Sequence, residues 1–416
     1  MKRVLLALLI GSVCISACKK GKNPAPSPNP PVATNTPVPP TSTVTTTDTP
    51  TSSATDTVTA TRTPTGTSTS TATSTPSGTS TRTSTATSTP TRTSTATATP
   101  TATSTATSTP TGTWNHGHVT TLAGQAGVSG SANGTGTAAS FISPGLITID
   151  STGNLYVMDS INRVRKVTSS GVVSTVYVGG GSGYSNYGIA TDSMMNIFVS
   201  NPTQDVISKM PSGGSMSTFA GYPDYVTYAD GVGTNARFYS PMGLAVDSLD
   251  NIFVADASNG MIRKITPGAV VSTFVGSGTF TFPVGVAVDA YDNVYVTSQN
   301  IIRKISPGGT VSTMAGQAAV TGCVNGVGTA ALFNRPLGIA VDSNGNVYVA
   351  DKVNQVVRKI TPSGVVSTLA GQAGVPGYSD GDGTAAKFNY PDGIAVDSSG
   401  AVYVADTGNN LIRMIQ

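Results

Sequence analysis

Glutamate is missing from this 416-residue chain, in which every one of the 20 acidic residues is aspartate. Histidine occurs twice, cysteine three times and tryptophan once, and charged residues make up 10%, against about 25% in an average globular protein. Most acid–base pairs, zinc clusters and disulfide frameworks need the residues that are scarce here. That argues against an ordinary metabolic enzyme. Long apolar runs are lacking too: residues 4–10 form one too short to span a bilayer as a stable helix.

What is present at the start reads as an export signal, with Lys2 and Arg3 before that apolar run. The run leads into Ile15-Ser16-Ala17-Cys18, which resembles the bacterial lipobox, with Ile where Leu is more usual. The resemblance implies cleavage by signal peptidase II before Cys18, leaving 1–17 as signal peptide, and acylation of Cys18 on its thiol and amino groups. Cys14 would leave with the signal and Cys323 would stand alone, so the exported domain would contain no disulfide. Several acyl chains bind a membrane nearly irreversibly, so the expected location is the bacterial cell envelope, with the membrane as partner. Lys19 and Lys20, where Asp would mark inner-membrane retention, permit sorting to an outer membrane if the organism has one.

Residues 18–113 read as a disordered stalk. From residue 23 onward they are Thr, Ser, Ala and Pro with no aromatic residue, in phrases such as TSTATSTPTRTSTATATPTATSTATSTP. Such a segment cannot bury a core. Its 14 prolines favour extended conformations, giving a reach between roughly 55 Å as a coil and roughly 300 Å fully extended. The hydroxyl density also permits a mucin-like glycosylated stalk. Residues 19–113 carry six Lys/Arg and two Asp, whereas residues 114–416 carry 15 and 18, a net of −3 before His. The basic face that a nucleic-acid binder needs is therefore not expected on the folded part.

Residues 114–416 repeat one unit six times. Its first phrase runs GLITIDSTGNLYVMD from Gly145, GIATDSMMNIFVSN from Gly188, GLAVDSLDNIFVAD from Gly243, GVAVDAYDNVYVTS from Gly285, GIAVDSNGNVYVAD from Gly338 and GIAVDSSGAVYVAD from Gly393. Each is a pair of β-rich runs around a polar turn, the signature of a hairpin. A third run follows, such as MIRKI from Met261, and then a fourth, such as VVSTFVG from Val270. Four strands in units of 42 to 55 residues predict propeller blades. The sixth copy has no fourth run after it, whereas HVTTLAG from His118 precedes the first. Residues 118–124 are therefore expected to complete the last blade and to remove an open edge. The prediction is an all-β, six-bladed propeller closed by an N-terminal strand and monomeric.

The phrase P-x-G-I-A-V-D-x-x-G-N-V-Y-V-A-D-x-x-N-x-x-I-R-K-I, best seen at 336–360 and 391–415, resembles the NHL repeat, and the likeness extends over 118–416. Asn201 replaces Asp in the second blade, and the fourth is shortened after Ser298. The resemblance implies the propeller fold and leaves function open, because NHL propellers include protein- and RNA-binding modules, extracellular sensors and an amidating lyase.

Two series of aspartates recur. Asp150, Asp192, Asp247, Asp289, Asp342 and Asp397 lead into the hairpin turn, where an Asx side chain satisfies turn amides. Asp159, Asp256, Asp351 and Asp406 open the next turn and invite the same explanation. Arg165, Arg263, Arg303 and Arg358, one per blade, suit pairing with a recurrent Asp or carbonyl better than a phosphate stripe.

Four blades carry an insertion before the first strand, beginning at Ser129, Thr227, Thr321 and Pro376, each with Gly-rich turns and, in three, a Thr-Ala-Ala helical start. The run Asp380-Gly381-Asp382-Gly383 hints at calcium but lacks the later Glu of an EF-hand loop, so neither metal nor cofactor is expected. Strand order puts the insertions on the side of the disc opposite the hairpins. Asp230, Arg237, Arg335, Tyr378, Asp380, Asp382, Lys387, Tyr390 and Asp392 are the candidate binding groups there. The function expected is a membrane-anchored module presenting this face to a protein or glycan. A metal-dependent lyase or lactonase would need a channel metal, and His116 and His118 sit together rather than on separate blades. A structural envelope protein is the third reading.

Overall fold

The computed structural model describes residues 117–160, 162–179, 187–223 and 227–416. The expected signal segment 1–17, Cys18 and the stalk 18–113 lie outside them. Six antiparallel sheets surround one axis, with inner strands in contact in chain order and the sixth meeting the first. Blade three shows the pattern, with Pro241–Val246 innermost, then Ile252–Asp256, Met261–Ile265 and Val270–Val275. Closure follows the counting of fourth strands: His118–Ala123 pairs antiparallel with Leu411–Ile415, Val119 opposite Ile415.

The disc has two distinct faces. Turns between first and second strands make the hairpin face, and turns between second and third strands make the opposite one, called here the mouth face. In blade six Val402, the first residue after the hairpin, pairs with Ile415, and the next residue, Gln416, accepts from the Gly117 N–H at 2.7 Å. The described chain therefore enters on the hairpin face.

The insertions differ from expectation. Each runs along the outer edge of the following blade as a two-residue fifth strand: Gly134–Thr135, Gly231–Val232, Gly326–Val327 and Gly381–Asp382. Among the described residues, blades two and four show four strands. The expected helical start is a single 3-10 turn, as in Gly233–Asn235, where Gly233 takes φ 55°. An outer strand has a row of unpaired backbone groups, and even a short partner satisfies part of it.

Glycine at the head of each repeat is explained by the axis. A Cβ on Gly188, Gly243, Gly285, Gly338 or Gly393 would sit 2.2 to 2.3 Å from a carbonyl oxygen of the next blade. Only a bare backbone lets the inner strands converge so tightly. Outside this ring the core lies between blades: Tyr348 and Val357 of blade five pack with Phe388, Ile394 and Val404 of blade six. Burying each such side chain contributes about 1.5–3 kcal/mol.

The first aspartate series behaves as predicted. Asp342 Oδ1 accepts from the N–H groups of Asn344 and Asn346 at 2.9 and 2.8 Å, and Oδ2 accepts from the Tyr348 hydroxyl at 3.0 Å. Burial pushes this carboxyl up, but the hydrogen bonds outweigh it and hold it below the ordinary value; Asp150, Asp247, Asp289 and Asp397 follow the same rule.

Candidate functional site

The second aspartate series needs a different account from the turn-capping one. Asp159, Asp256, Asp351 and Asp406 are fully buried, each paired with a fully buried arginine: Arg165, Arg263, Arg358 and Arg413, at 2.8 to 3.0 Å. Arg263 shows the arrangement. Its Nη1 donates to Asp256 Oδ2 and the Arg237 carbonyl, and its Nη2 to the Ala229 carbonyl and Asp230 Oδ1. The guanidinium lies 5.3 Å from the Phe238 ring centroid. One arginine thus grips both limbs of the insertion. Burial pushes the four paired carboxyls up, Asp351 and Asp406 to about 6, against the pull of the N–H donors and the arginine.

The two blades without an observed fifth strand lack this device. Blade two has Asn201 and Ser208 at the corresponding positions, and blade four has Ser298 and Arg303. Arg303, expected to meet an Asp or carbonyl, instead donates to Thr313 Oγ1 at 2.8 Å. A buried guanidinium requires several acceptors, and the insertion supplies the carbonyls.

This clasp takes up several of the predicted binding groups. Asp230 and Asp380 each accept from the buried arginine, at 2.6 and 2.5 Å, and Asp380 also holds the N–H and hydroxyl of Thr121 in the closing strand. Asn133 and Asn325 do the same for Arg165 and Arg358. Tyr378 lies over Arg413, 5.2 Å from ring centroid to guanidinium carbon, and the Lys387 carbonyl accepts from the same arginine. Arg237 stacks on Tyr222 and donates to its own segment's carbonyls at Thr234 and Ala236. Asp382 pairs with His118 Nδ1 at 2.5 Å, fastening insertion to closing strand.

Three predicted residues lie elsewhere, at the channel mouth. The residues just before the six recurring glycines ring the mouth-face end of the inner strands: Pro144, Tyr187, Met242, Val284, Leu337 and Asp392. Asp392 is the one carboxylate in this ring, 8% exposed. Its Oδ2 accepts from Lys352 Nζ at 2.8 Å, and its Oδ1 is buried with no hydrogen-bond partner. Beside the ring lies a cavity lined by Ile147, Ile189, Leu244, Val286, Ile339 and Ile394 together with the recurring glycines Gly243, Gly285 and Gly338.

Arg335 and Tyr390 stand two residues upstream of Leu337 and Asp392. Both are exposed and both hold positive φ, 53° and 51°. Each spends its N–H on the preceding blade, Arg335 on Asn300 Oδ1 at 3.0 Å and Tyr390 on Gln355 Oε1 at 2.6 Å. Phe282 repeats the conformation on blade four at φ 51°. Positive φ on such bulky residues stores strain, which persists where the surroundings enforce it.

Tyr187 joins the group electrostatically. Burial raises its phenol well above the ordinary value, the Asp392 carboxylate raises it further, and Arg335 lowers it. Blades two, five and six therefore share one field at the mouth. Tyr187, Phe282 and Lys352 escaped sequence reasoning, although the departure of Tyr187 and Asp392 from apolar neighbours before the repeated glycine was a readable signal. Among the described residues no group of three or more His, Cys or Asp is placed to hold a metal ion.

The NHL repeat family profile matches residues 333–360 and 388–413. Among curated proteins, human Teneurin-4 is 29% identical over 350 residues, covering 69% of this chain and 12% of that protein. The Arabidopsis thaliana Protein SUPPRESSOR OF QUENCHING 1, chloroplastic, is 39% identical over 92 residues, covering 22% of this chain and 9% of its own length. The chain thus spans about a tenth of these relatives. Among solved structures, an auxiliary nutrient binding protein from Bacteroides thetaiotaomicron superposes with TM-score 0.60 at 19% identity, covering 72% of this chain and 76% of that one. A protein of unknown function from the same organism gives TM-score 0.59 at 24% identity, covering 72% and 75%. The chain carries NHL repeats on a six-bladed β-propeller.

Proposed function

We propose that this chain is a lipid-anchored binding module of the cell envelope, with the channel mouth as its recognition site for a protein or glycan. The observation that carries the binding reading is Asp392, whose Oδ1 is buried without a hydrogen-bond partner while its Oδ2 holds Lys352 and its charge reaches Tyr187. A buried acceptor left unmade costs about 1–3 kcal/mol, and such a cost is regained when a ligand donates to it. Asp392 stands on an inner strand, and the backbones of Arg335 and Tyr390 are tied to the preceding blade, so little backbone ordering is needed on binding. The anchor reading rests on the sequence ending at Cys18.

The test is capture from the organism's envelope or surroundings by immobilised residues 114–416, a fragment that contains every described strand of the ring. Arg335→Ala with Asp392→Asn is expected to abolish capture while melting stays above the range of an unfolded chain. Equal capture by both proteins would place recognition elsewhere. Acylation is tested separately: Cys18→Ala should eliminate acyl labelling, and labelling that persists overturns the anchor.

A further inference from the structure

The most exposed large apolar side chains stand on the face opposite the mouth. Met194, Leu249 and Tyr291 are 64%, 69% and 78% exposed. They occupy one equivalent position, two residues after the hairpin aspartate, on three consecutive blades. The N–H of each donates to that aspartate's Oδ1, at 3.1, 3.0 and 2.9 Å. Identical turn geometry brings the three tips to one level of the disc. Blades one, five and six have Thr152, Asn344 and Ser399 at this position, so the apolar tips form a single arc.

The arc is stiff. Ser193 of blade two donates through its N–H and hydroxyl to Asp250 of blade three, at 2.9 and 2.7 Å. The chain also enters on this face, at Gly117, after 116 residues that begin with the expected membrane signal and anchor. We propose that Met194, Leu249 and Tyr291 seat the hairpin face on a lipid bilayer.

The geometry favours a bilayer over a protein groove. Three tips at one level, each a blade apart, match a planar surface, and Tyr suits the headgroup boundary while Leu and Met suit the acyl side. The charges predict the lipid. Asp250 and Asp292 adjoin two of the tips, the Lys264 amine is taken by Asp247 at 3.3 Å, and those of Lys209 and Lys304 lie over the Phe198 and Tyr295 rings. The equivalent Lys166 and Lys359 amines lie over the Tyr156 and Tyr348 rings in the same way. With each lysine of this series tied to a ring or a carboxylate, docking is apolar in origin, indifferent to salt and suited to zwitterionic lipid. Seated in this way, the propeller turns its mouth outward. The inference rests in part on the chain's entry at this face after the expected anchor, but its test on the propeller does not require acylation of Cys18.

The test uses residues 114–416 with phosphatidylcholine vesicles at millimolar lipid, read by co-sedimentation. The protein is expected to partition onto them, and Met194→Ser, Leu249→Ser and Tyr291→Ser combined should lower the partition coefficient roughly a hundredfold, from the apolar area lost. Added phosphatidylserine or salt should change it little. Absence of binding, equal binding by the triple variant, or binding confined to anionic vesicles overturns the proposal. So does a dimer in sedimentation analysis that the triple variant dissolves, because the tips would then cover a second copy.

Discussion

Arg263 Nη1 lies 3.0 Å from Asp256 Oδ2, with both side chains fully buried, in a clasp that ties the third strand of blade three to the insertion ahead of it. Removing the arginine leaves a buried carboxylate and two carbonyls of the insertion without their donor. Arg263→Met should cost about 3–5 kcal/mol, measured by urea unfolding. Arg303→Met in blade four, which meets only Thr313, should cost less than about 0.5 kcal/mol. Equal losses would mean that the buried pair contributes nothing particular.

The closing strand makes a second expectation. A protein starting at Gln125 lacks the partner of Leu411–Ile415 and exposes a new edge in blade six. It should melt well below the full propeller and self-associate. An unchanged, monomeric melting transition would contradict the closure.

Gly338 tests the crowded axis, since its added Cβ would lie 2.2 Å from the Asp392 carbonyl oxygen. Gly338→Ala should destabilise by about 1–3 kcal/mol through overpacking. Gly268→Ala, whose nearest neighbour is a side-chain atom at 3.8 Å, should stay within about 0.5 kcal/mol.

Stability against pH has two opposed contributions. Asp351 and Asp406 are pushed by burial to about 6, so the folded state takes up protons before the unfolded chain does, and stability rises as pH falls from 7.5 toward 5. The hairpin aspartates are held below the ordinary carboxylate value by their hydrogen bonds, so their contribution is lost as pH falls through their folded values. Melting temperature should therefore keep rising as pH falls below 6, peak near pH 4, about where unfolded carboxyls titrate, and drop below it. A monotonic rise from pH 4 to 8 would show that the paired carboxyls are not raised.

Asp392 sits where blade five has Leu337. Replacing it and its partner together, Asp392→Leu with Lys352→Met, removes a buried charge pair and an unpartnered oxygen. The double variant should be about 1 kcal/mol more stable and should lose ligand capture. Loss of stability together with unaltered capture would return both residues to a purely structural role.

Much of this molecule was readable as text because the repeat compares the chain with itself. The hairpin aspartates and the closing strand follow from local pattern and counting. The fifth strands do not, since two residues carry no period and their pairing depends on a blade's free edge. Arg263 was expected to meet a recurrent Asp or carbonyl and does meet both, but Asp256 looked like a turn residue because nothing in the sequence singled it out, seven positions earlier, as that partner. The mouth was half visible: Arg335, Tyr390 and Asp392 were named from loop position, whereas Lys352 and Tyr187 belong to it only through ring geometry.

Closure by the first strand also sets an order of events. Residues 118–123 leave the ribosome before any other described strand, yet their partner at 411–415 is the last of the described strands to be made. No nascent chain can complete blade six until residues 411–415 have been made, and the pairing spans the greatest sequence separation among the described strands, a slow step by loop-closure entropy. Until then the ring remains an open arc with two unsatisfied ends, a state in which the chain has not yet locked itself shut.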